Sequence, residues 1–322
     1  EIYMGDWSSD VCSSDLDGDG LHRILHGAVT TFTTRDGLAG NTVNGLYQDR
    51  SGRLWIGSDG GLDLMSDGRL SAVKSVRALG VVAVNLMHED RAGRLWLGTE
   101  AHGLLVLDNA TLRKYSDADG LPSSRVLAIH EDSEGALWFG TLNGLCRMRD
   151  GRIFSFNLQG PLRETILQVL EDRGGNLWLT TNKGLVAVAR KALDEFAAGR
   201  GPAPQQRIYG IADGMRASEF NGGHTSAGIR TASGELWLPT IRGVVRVDTE
   251  RLHPNTVAPP VLIEEMLADA RPLSETNGLE VPPGPQNWEF RFTGLSFSVP
   301  ERVRFKYRLE GFDLYGDRKS VV

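Results

Sequence analysis

Residues 49–62 read DRSGRLWIGSDGGL, and close copies follow as DRAGRLWLGTEAHGL at 90–104, DSEGALWFGTLNGL at 132–145 and DRGGNLWLTTNKGL at 172–185. Aligned on tryptophan, the series is Trp55, Trp96, Trp138, Trp178 and Trp237, separated by 41, 42, 40 and 59 residues. A glycine stands three places before each indole, at Gly52, Gly93, Gly135, Gly175 and Gly234, and a leucine one place before. A second glycine closes each copy, at Gly61, Gly103, Gly144, Gly184 and Gly243. A period near 41 residues belongs to a propeller or to a helical array.

Local chemistry separates the two. Each D-x-x-G step follows an alternating run such as TVNGLYQD, VVAVNLMHED or SRVLAIHED. The step itself is hairpin-turn chemistry, with glycine free to take positive φ. LWIG alternates again with period two; GLDLM, GLLVLD and GLCRM supply a third strand, and RLSAV, LRKYS and RIFSF a fourth. Four short antiparallel strands per repeat make a propeller blade. The expected fold class is all-β: a β-propeller of about five four-stranded blades from a larger ring, followed by a truncated immunoglobulin-like β-sandwich.

The repeated residues then acquire structural work. One four-stranded sheet cannot bury its own faces, so blades stack, and Trp55, Trp96, Trp138, Trp178 and Trp237 are expected to fill the space between them. Gly57, Gly98 and Gly140, two places further on, should let the next sheet approach. Asp49, Asp90, Asp132 and Asp172 recur six places before the indole, and copying into four blades marks them as turn caps rather than catalytic carboxylates. The strings TTRDGLAGNTV, YSDADGLPSSRV and YGIADGMRASEF join one blade's outer strand to the next blade's inner strand. The 59-residue interval holds an insertion, ARKALDEFAAGRGPAPQQ, whose Ala-rich half suits a short helix and whose Gly/Pro half suits a loop.

Composition agrees with a turn-rich globular chain. Of 322 residues, 39 are glycine, about 12% against a usual ~7%. A net charge of −6 with no basic run argues against a nucleic-acid surface. Cys12 and Cys146 make no disulfide framework, and Cys146 reads as a small buried hydrophobe. No stretch approaches the ~18 apolar residues of a membrane span. The seven histidines show no metal-ligand spacing, and no cofactor motif occurs.

The ends read differently. Residues 1–16, with SSD written twice, and the tail 317–322 look like non-native adapter translation, so both natural termini are expected to be missing. Asp15, Asp17 and Asp19 before Gly20 mimic a calcium loop, but the twelfth position is His26 where a bidentate Glu is needed. The organisation expected is blades over 17–253, a Pro-containing linker over 254–260 and a partial sandwich over 261–316.

The Trp repeats resemble the two-component regulator propeller repeat. YGIADGMRASEFNGG, GELWLPTIRGVVRVD and RFKYRLEGFD are similar to the last blade and the Tyr-rich immunoglobulin-like domain that follows it in bacterial sensor proteins. The resemblance spans roughly 17–315. It implies a secreted or periplasmic pair of seven-bladed propellers, a sandwich, a membrane helix outside this chain and a cytoplasmic histidine kinase or diguanylate cyclase. It also implies a homodimeric receptor and, for some members, the sensing of polysaccharide fragments. The chain departs from the pattern in holding about five blades and in running into LYGDRKSVV after LEGFD.

Propeller geometry also locates a candidate ligand surface. Strands alternate between two rims, so inter-blade connections and the loops between second and third strands share one face. Framework positions repeat while these loops vary, and variable loops on a rigid scaffold carry recognition. The candidates are Asp59, Glu100, His102, Asn143, Asn182, Lys183 and Arg242, with Glu219, Asn221 and His224 from SEFNGGH. The expected function is the extracytoplasmic sensing region of a two-component sensor, binding a small molecule or oligosaccharide without turnover and without a cofactor or metal. A propeller enzyme acting on polysaccharide and a protein-interaction scaffold are the alternatives. Catalysis would require convergent carboxylates, whereas these recur in symmetric turns.

Overall fold

In the computed structural model each 41-residue repeat closes into one antiparallel sheet. Residues 2–3, 18–66, 68–156, 158, 160–223, 227–252, 260–269, 271–272, 287–295, 305–306 and 320–321 are described. Two compact units divide the chain, Glu1–Arg251 and Leu252–Val322.

Blade 1 runs Val43–Gln48, Leu54–Ser58, Leu62–Ser66, Arg69–Ala72, paired in that order. Blade 2 is Val84–Glu89, Leu95–Thr99, Leu104–Asp108, Thr111–Tyr115. Blade 3 is Val126–Glu131, Leu137–Thr141, Gly144–Arg149, Arg152–Ser155. Blade 4 is Ile166–Glu171, Asn176–Thr181, Gly184–Ala189, Gln206–Tyr209. Blade 5 has three described strands, Ile229–Arg230, Leu236–Thr240 and Gly243–Val247, with Phe220 bridged to Thr240. The fold is an all-β propeller, with blades 1 to 5 among the described residues.

A further sheet precedes blade 1. Leu21–Leu25 and Ala28–Phe32 pair like a third and an outer strand, and Leu21 and Phe32 pack with Leu38, Ile56 and Met65 of the blade-1 region. Ile2–Tyr3, set aside above as non-native, adds to the Leu21–Leu25 edge. An unpaired strand edge accepts whatever extended chain lies nearby.

Each D-x-x-G turn is built alike. Gly52, Gly93, Gly135, Gly175 and Gly234 all take φ between 76° and 98°. Asp49 accepts from the backbone N–H of Ser51 and Arg53 at 2.9 Å, from Arg53 Nε at 2.7 Å and from Trp55 Nε1 at 2.8 Å. Asp90, Asp132 and Asp172 hold Trp96, Trp138 and Trp178 in the same way at 2.7, 2.7 and 2.8 Å. Burial alone would raise the carboxyls of Asp49 and Asp90. The indole, backbone and arginine hydrogen bonds outweigh it and leave both below the usual carboxylate range. The sequence pattern gives these Asp only the turn; the bond to the indole adds to it. In blade 5 Thr231 stands in this place and bonds the Glu235 amide at 3.1 Å.

The indoles of blades 1 to 4 lie between sheets, each at most 6% exposed. A Cβ on Gly57 would lie 2.7 Å from Val84 O, and one on Gly140 2.6 Å from Ile166 O, so these glycines do admit the next inner strand. Trp237 corrects the expectation: it is 40% exposed, where the four earlier indoles are buried.

The insertion forms a helix, the longer of two in the propeller's described residues. The four-residue α1, Lys74–Arg77, sits in the blade 1–2 connection, and α2, Arg190–Ala197, follows blade 4's third strand. Blade 3 has Ala136 where blades 1 and 2 place Arg53 and Arg94 on the buried Asp. Arg190 from α2 fills that role, 3.8 Å from Asp132 and 2.9 Å from Glu171 and Glu134.

In the second unit, Val261–Ala268 pairs with Trp288–Gly294 and with Arg271–Pro272, and Phe305–Lys306 pairs with Ser320–Val321. The sandwich expected there falls largely on residues outside those described.

Candidate functional site

One rim of the propeller is fastened by a repeated hydroxyl clamp. Thr99, Thr141, Thr181 and Thr240, each ending a second strand, donate to the carbonyls of Gly103, Gly144, Gly184 and Gly243 at 2.6–2.9 Å. The same oxygens accept from the amides of His102, Asn143, Lys183 and Arg242 at 2.9–3.2 Å. Backbone bonds Asp59 N–H to Thr42 O, Glu100 to Ala83, Leu142 to Arg125 and Ile241 to Glu219 tie these loops to the preceding connections. Loops and connections therefore share one face. The loop backbone is held while its side chains are free to differ.

Beneath this rim each inner strand carries a bulge at its first turn, at 43/45, 84/86, 126/128 and 166/168. A bulge re-aims one side chain. The bulged residues are Asn44, Asn85, Leu127 and Leu167. Asn44 Nδ2 donates to Asn85 Oδ1 at 3.0 Å, and Asn85 Nδ2 to Glu100 Oε2 at 3.1 Å. Glu100 in turn pairs with Arg125 Nε at 2.9 Å, with both side chains nearly half exposed. This polar track crosses three blades. On blades 3 and 4 the bulged leucines are covered instead. Phe220 packs with Leu127 and Leu167, while Gly222 and Gly223 lie so close that a Cβ would meet Leu167 at 2.8 Å and Leu127 at 3.1 Å.

The expected residues distribute as follows. Glu100 joins the polar track, and Asn221, on the covering segment, donates its amide to Pro239 O at 3.0 Å. Asp59 presses on Gly40, where any Cβ would overlap its carboxylate. Lys183 pairs with Glu164 at 2.8 Å on the surface, and Asn143 Nδ2 reaches Pro122 O at 3.4 Å. Asn182, Glu219 and Arg242 are exposed and His102 is half-buried. His224 lies outside the described residues. Asn44, Asn85 and Arg125 are additional to the expected residues. The asparagines share one offset after the valine that opens an inner strand, a signal visible only once the repeat is aligned there.

The opposite rim is structural. Glu89, Glu131 and Glu171 accept from the amides of Arg50, Arg91 and Ser133 of the preceding blade at 2.7–3.0 Å, stapling neighbouring turns. His88 stands 3.7 Å from Glu131. Burial pushes His130 down to about 4, with the nearby His88 adding to the effect. Among the described residues no cluster of His, Cys, Asp or Glu could hold a metal ion, and no helix is long and apolar enough to cross a membrane.

Residues 37–60 and 120–143 match the two component regulator propeller family, each segment running from a connection through an inner strand. No curated protein matches the sequence significantly. Among solved structures, the extracellular domain of the candidate hybrid two component system BT4673 from B. thetaiotaomicron is similar over 94% of this chain and 49% of its own, at 17% identity and TM-score 0.55. That of BT3049 from the same organism is similar over 95% and 47%, at 20% identity and TM-score 0.50. Virginiamycin B lyase from Staphylococcus aureus shares the fold over 76% of this chain and 80% of its own, at 14% identity and TM-score 0.54. The chain spans about half the length of the two extracellular domains.

Proposed function

We propose that this chain is part of the extracytoplasmic, ligand-sensing region of a bacterial two-component sensor. Its rim binds a hydroxyl-rich ligand such as an oligosaccharide without turning it over. The Asn44–Asn85–Glu100–Arg125 track carries the reading. Amides, a carboxylate and a guanidinium held in one hydrogen-bonded line are donors and acceptors suited to sugar hydroxyls. The matched propeller segments and the similarity to two-component extracellular domains support the sensor assignment. The four recurring Asp are committed to indoles and turn amides, which supports binding rather than catalysis. Occupancy is relayed through the second unit to a kinase or diguanylate cyclase in a homodimeric, periplasm-facing receptor.

Calorimetric titration of the chain with a panel of acidic and neutral oligosaccharides tests this. At least one should bind, and Glu100→Ala should weaken it ~10-fold or more, equivalent to about 1.4 kcal/mol. Absence of binding across the panel, or unchanged affinity in the variant, would overturn the sugar reading. Product formation would replace it with catalysis.

A further inference from the structure

The outer flank between blades 1 and 2 breaks the repeat. In blades 2, 3 and 4 the outer strand leads to a ring stacked on that blade's indole. Tyr115 lies 5.9 Å from Trp96, Phe156 5.6 Å from Trp138 and Tyr209 5.6 Å from Trp178, with interplanar angles of 24°, 17° and 25°. Two places earlier a second large side chain lies against that ring. Arg113 is 4.5 Å from the Tyr115 centroid, Phe154 is 5.1 Å from Phe156, and Arg207 reaches the Tyr209 hydroxyl at 3.5 Å.

Blade 1 places Val73 and Ser71 at these two positions. The backbone register is unchanged: Val73 N–H meets Leu62 O at 3.0 Å, as Phe156 N–H meets Leu145 O at 3.0 Å. Only the side chains are short. What they leave is a cleft of about 450 Å³, lined by Trp55, Leu64, Ser71, Val73, Lys74 and, from blade 2, Asn109 among others. A dry cavity of ~150 Å³ already takes benzene, and ligand pockets begin near ~300 Å³.

The lining states what would fit. Trp55 Nε1 is already committed to Asp49, so the indole offers a π-face and not a donor. Arg53 does not take the vacant place. It lies 5.3 Å from the Trp55 ring as Arg94 lies 5.4 Å from Trp96, where Tyr115 is stacked as well. Lys74, exposed at the start of α1, is the charged residue of the lining.

We propose that this cleft binds a small planar aromatic carboxylate of one or two fused rings. The ring takes the place that Tyr115, Phe156 and Tyr209 hold in the sibling blades, and the carboxylate meets the Lys74 ammonium. The site stands apart from the rim loops and does not depend on the sensor reading.

Saturation-transfer NMR on the chain with indole-3-acetate tests it, with uncharged 3-methylindole as the comparison. Wild type should bind indole-3-acetate saturably and prefer it, and Lys74→Gln should erase the preference. The double variant V73Y/S71R, which writes smaller-repeat positions as blade 2 has them, should fill the cleft and weaken binding ~10-fold or more. If circular dichroism shows that the double variant is unfolded, S71R alone enters the same space and should weaken binding likewise. No saturable binding by wild type, or undiminished binding by the folded filled-cleft variant, would overturn the proposal.

Discussion

The indole N–H of Trp138 donates to the Asp132 carboxylate across 2.7 Å, and neither residue is exposed. The same carboxylate accepts from the amides of Glu134 and Ala136 at 2.9 Å, so one side chain holds a turn, a ring and, through Arg190, a helix of the next blade. Asp132→Ala removes every acceptor at once and leaves Arg190 with one counter-charge fewer. Breaking a buried charge pair of this kind costs ~3–5 kcal/mol. Urea unfolding should register that loss, and a cost below about 1 kcal/mol would deny the arrangement its structural weight.

Acid should weaken this fold through His130 as well as through the aspartates. Its folded-state value is depressed to about 4, so the unfolded chain takes up the proton first as pH falls below the ordinary 6.5. Stability is fully present above that point and is lost on the way down to about pH 4. Blade 4 has Leu170 at the matching place, so His130→Leu should flatten the decline in midpoint between pH 6.5 and 4. An unchanged pH profile would show that His130 takes up its proton as readily in the folded protein as in the unfolded chain.

Asp63 acts in the opposite sense. It is fully buried in blade 1 where the sibling blades have Leu105, Cys146 and Val186, and it accepts from Ala39 N–H at 2.7 Å while Oδ1 has no hydrogen-bond partner among the described residues. Burial raises its pKa, only partly opposed by the Ala39 bond and Arg77. The stability tied to its protonation is complete below the unfolded-state pKa and lost as pH rises through the raised folded value. Asp63→Asn keeps an acceptor for Ala39 and should raise the thermal midpoint at pH 7 but not at pH 3. A lower midpoint at pH 7 would show that the charge itself is needed.

Gly140→Ala tests blade spacing. The new methyl would stand 2.6 Å from Ile166 O and 2.8 Å from Ile166 Cγ2, so two inner strands must part. Overpacking of this size costs ~1–3 kcal/mol. Gly151→Ala, at a turn with open space but φ of 74°, separates backbone strain from blade contact. Equal losses at the two sites would remove the close-approach explanation.

The exposed apolar side chains of blade 5 should make the chain self-associate. Ile229, Trp237 and Val244 are 55%, 40% and 62% exposed, with Ile229 paired opposite Trp237, and exposed apolar groups of this kind seek a partner. Light scattering should find species larger than the monomer, shifted toward monomer by Val244→Lys. A monodisperse wild-type monomer would contradict this.

What the sequence determined by itself is the blade. The hairpin glycines, the alternating strands and the Asp–Trp offset all act between residues close along the chain; six places separate Asp49 from Trp55. The glycine turns recur at each repeat and the Asp–Trp bond in four of the five, so both can be read by aligning it. Even α2 was legible as an Ala-rich run. Tertiary structure alone decided what lies between blades. Asn44 meets Asn85 across 41 residues, and Arg190 reaches Glu134 across 56. The cleft over Trp55 exists because two side chains are small where their counterparts are large, and Trp237 is exposed where its four counterparts are buried. A periodic sequence specifies one sheet many times over. Which side chains meet, and which find nothing to meet, depends on the departures from the period in two neighbouring sheets together.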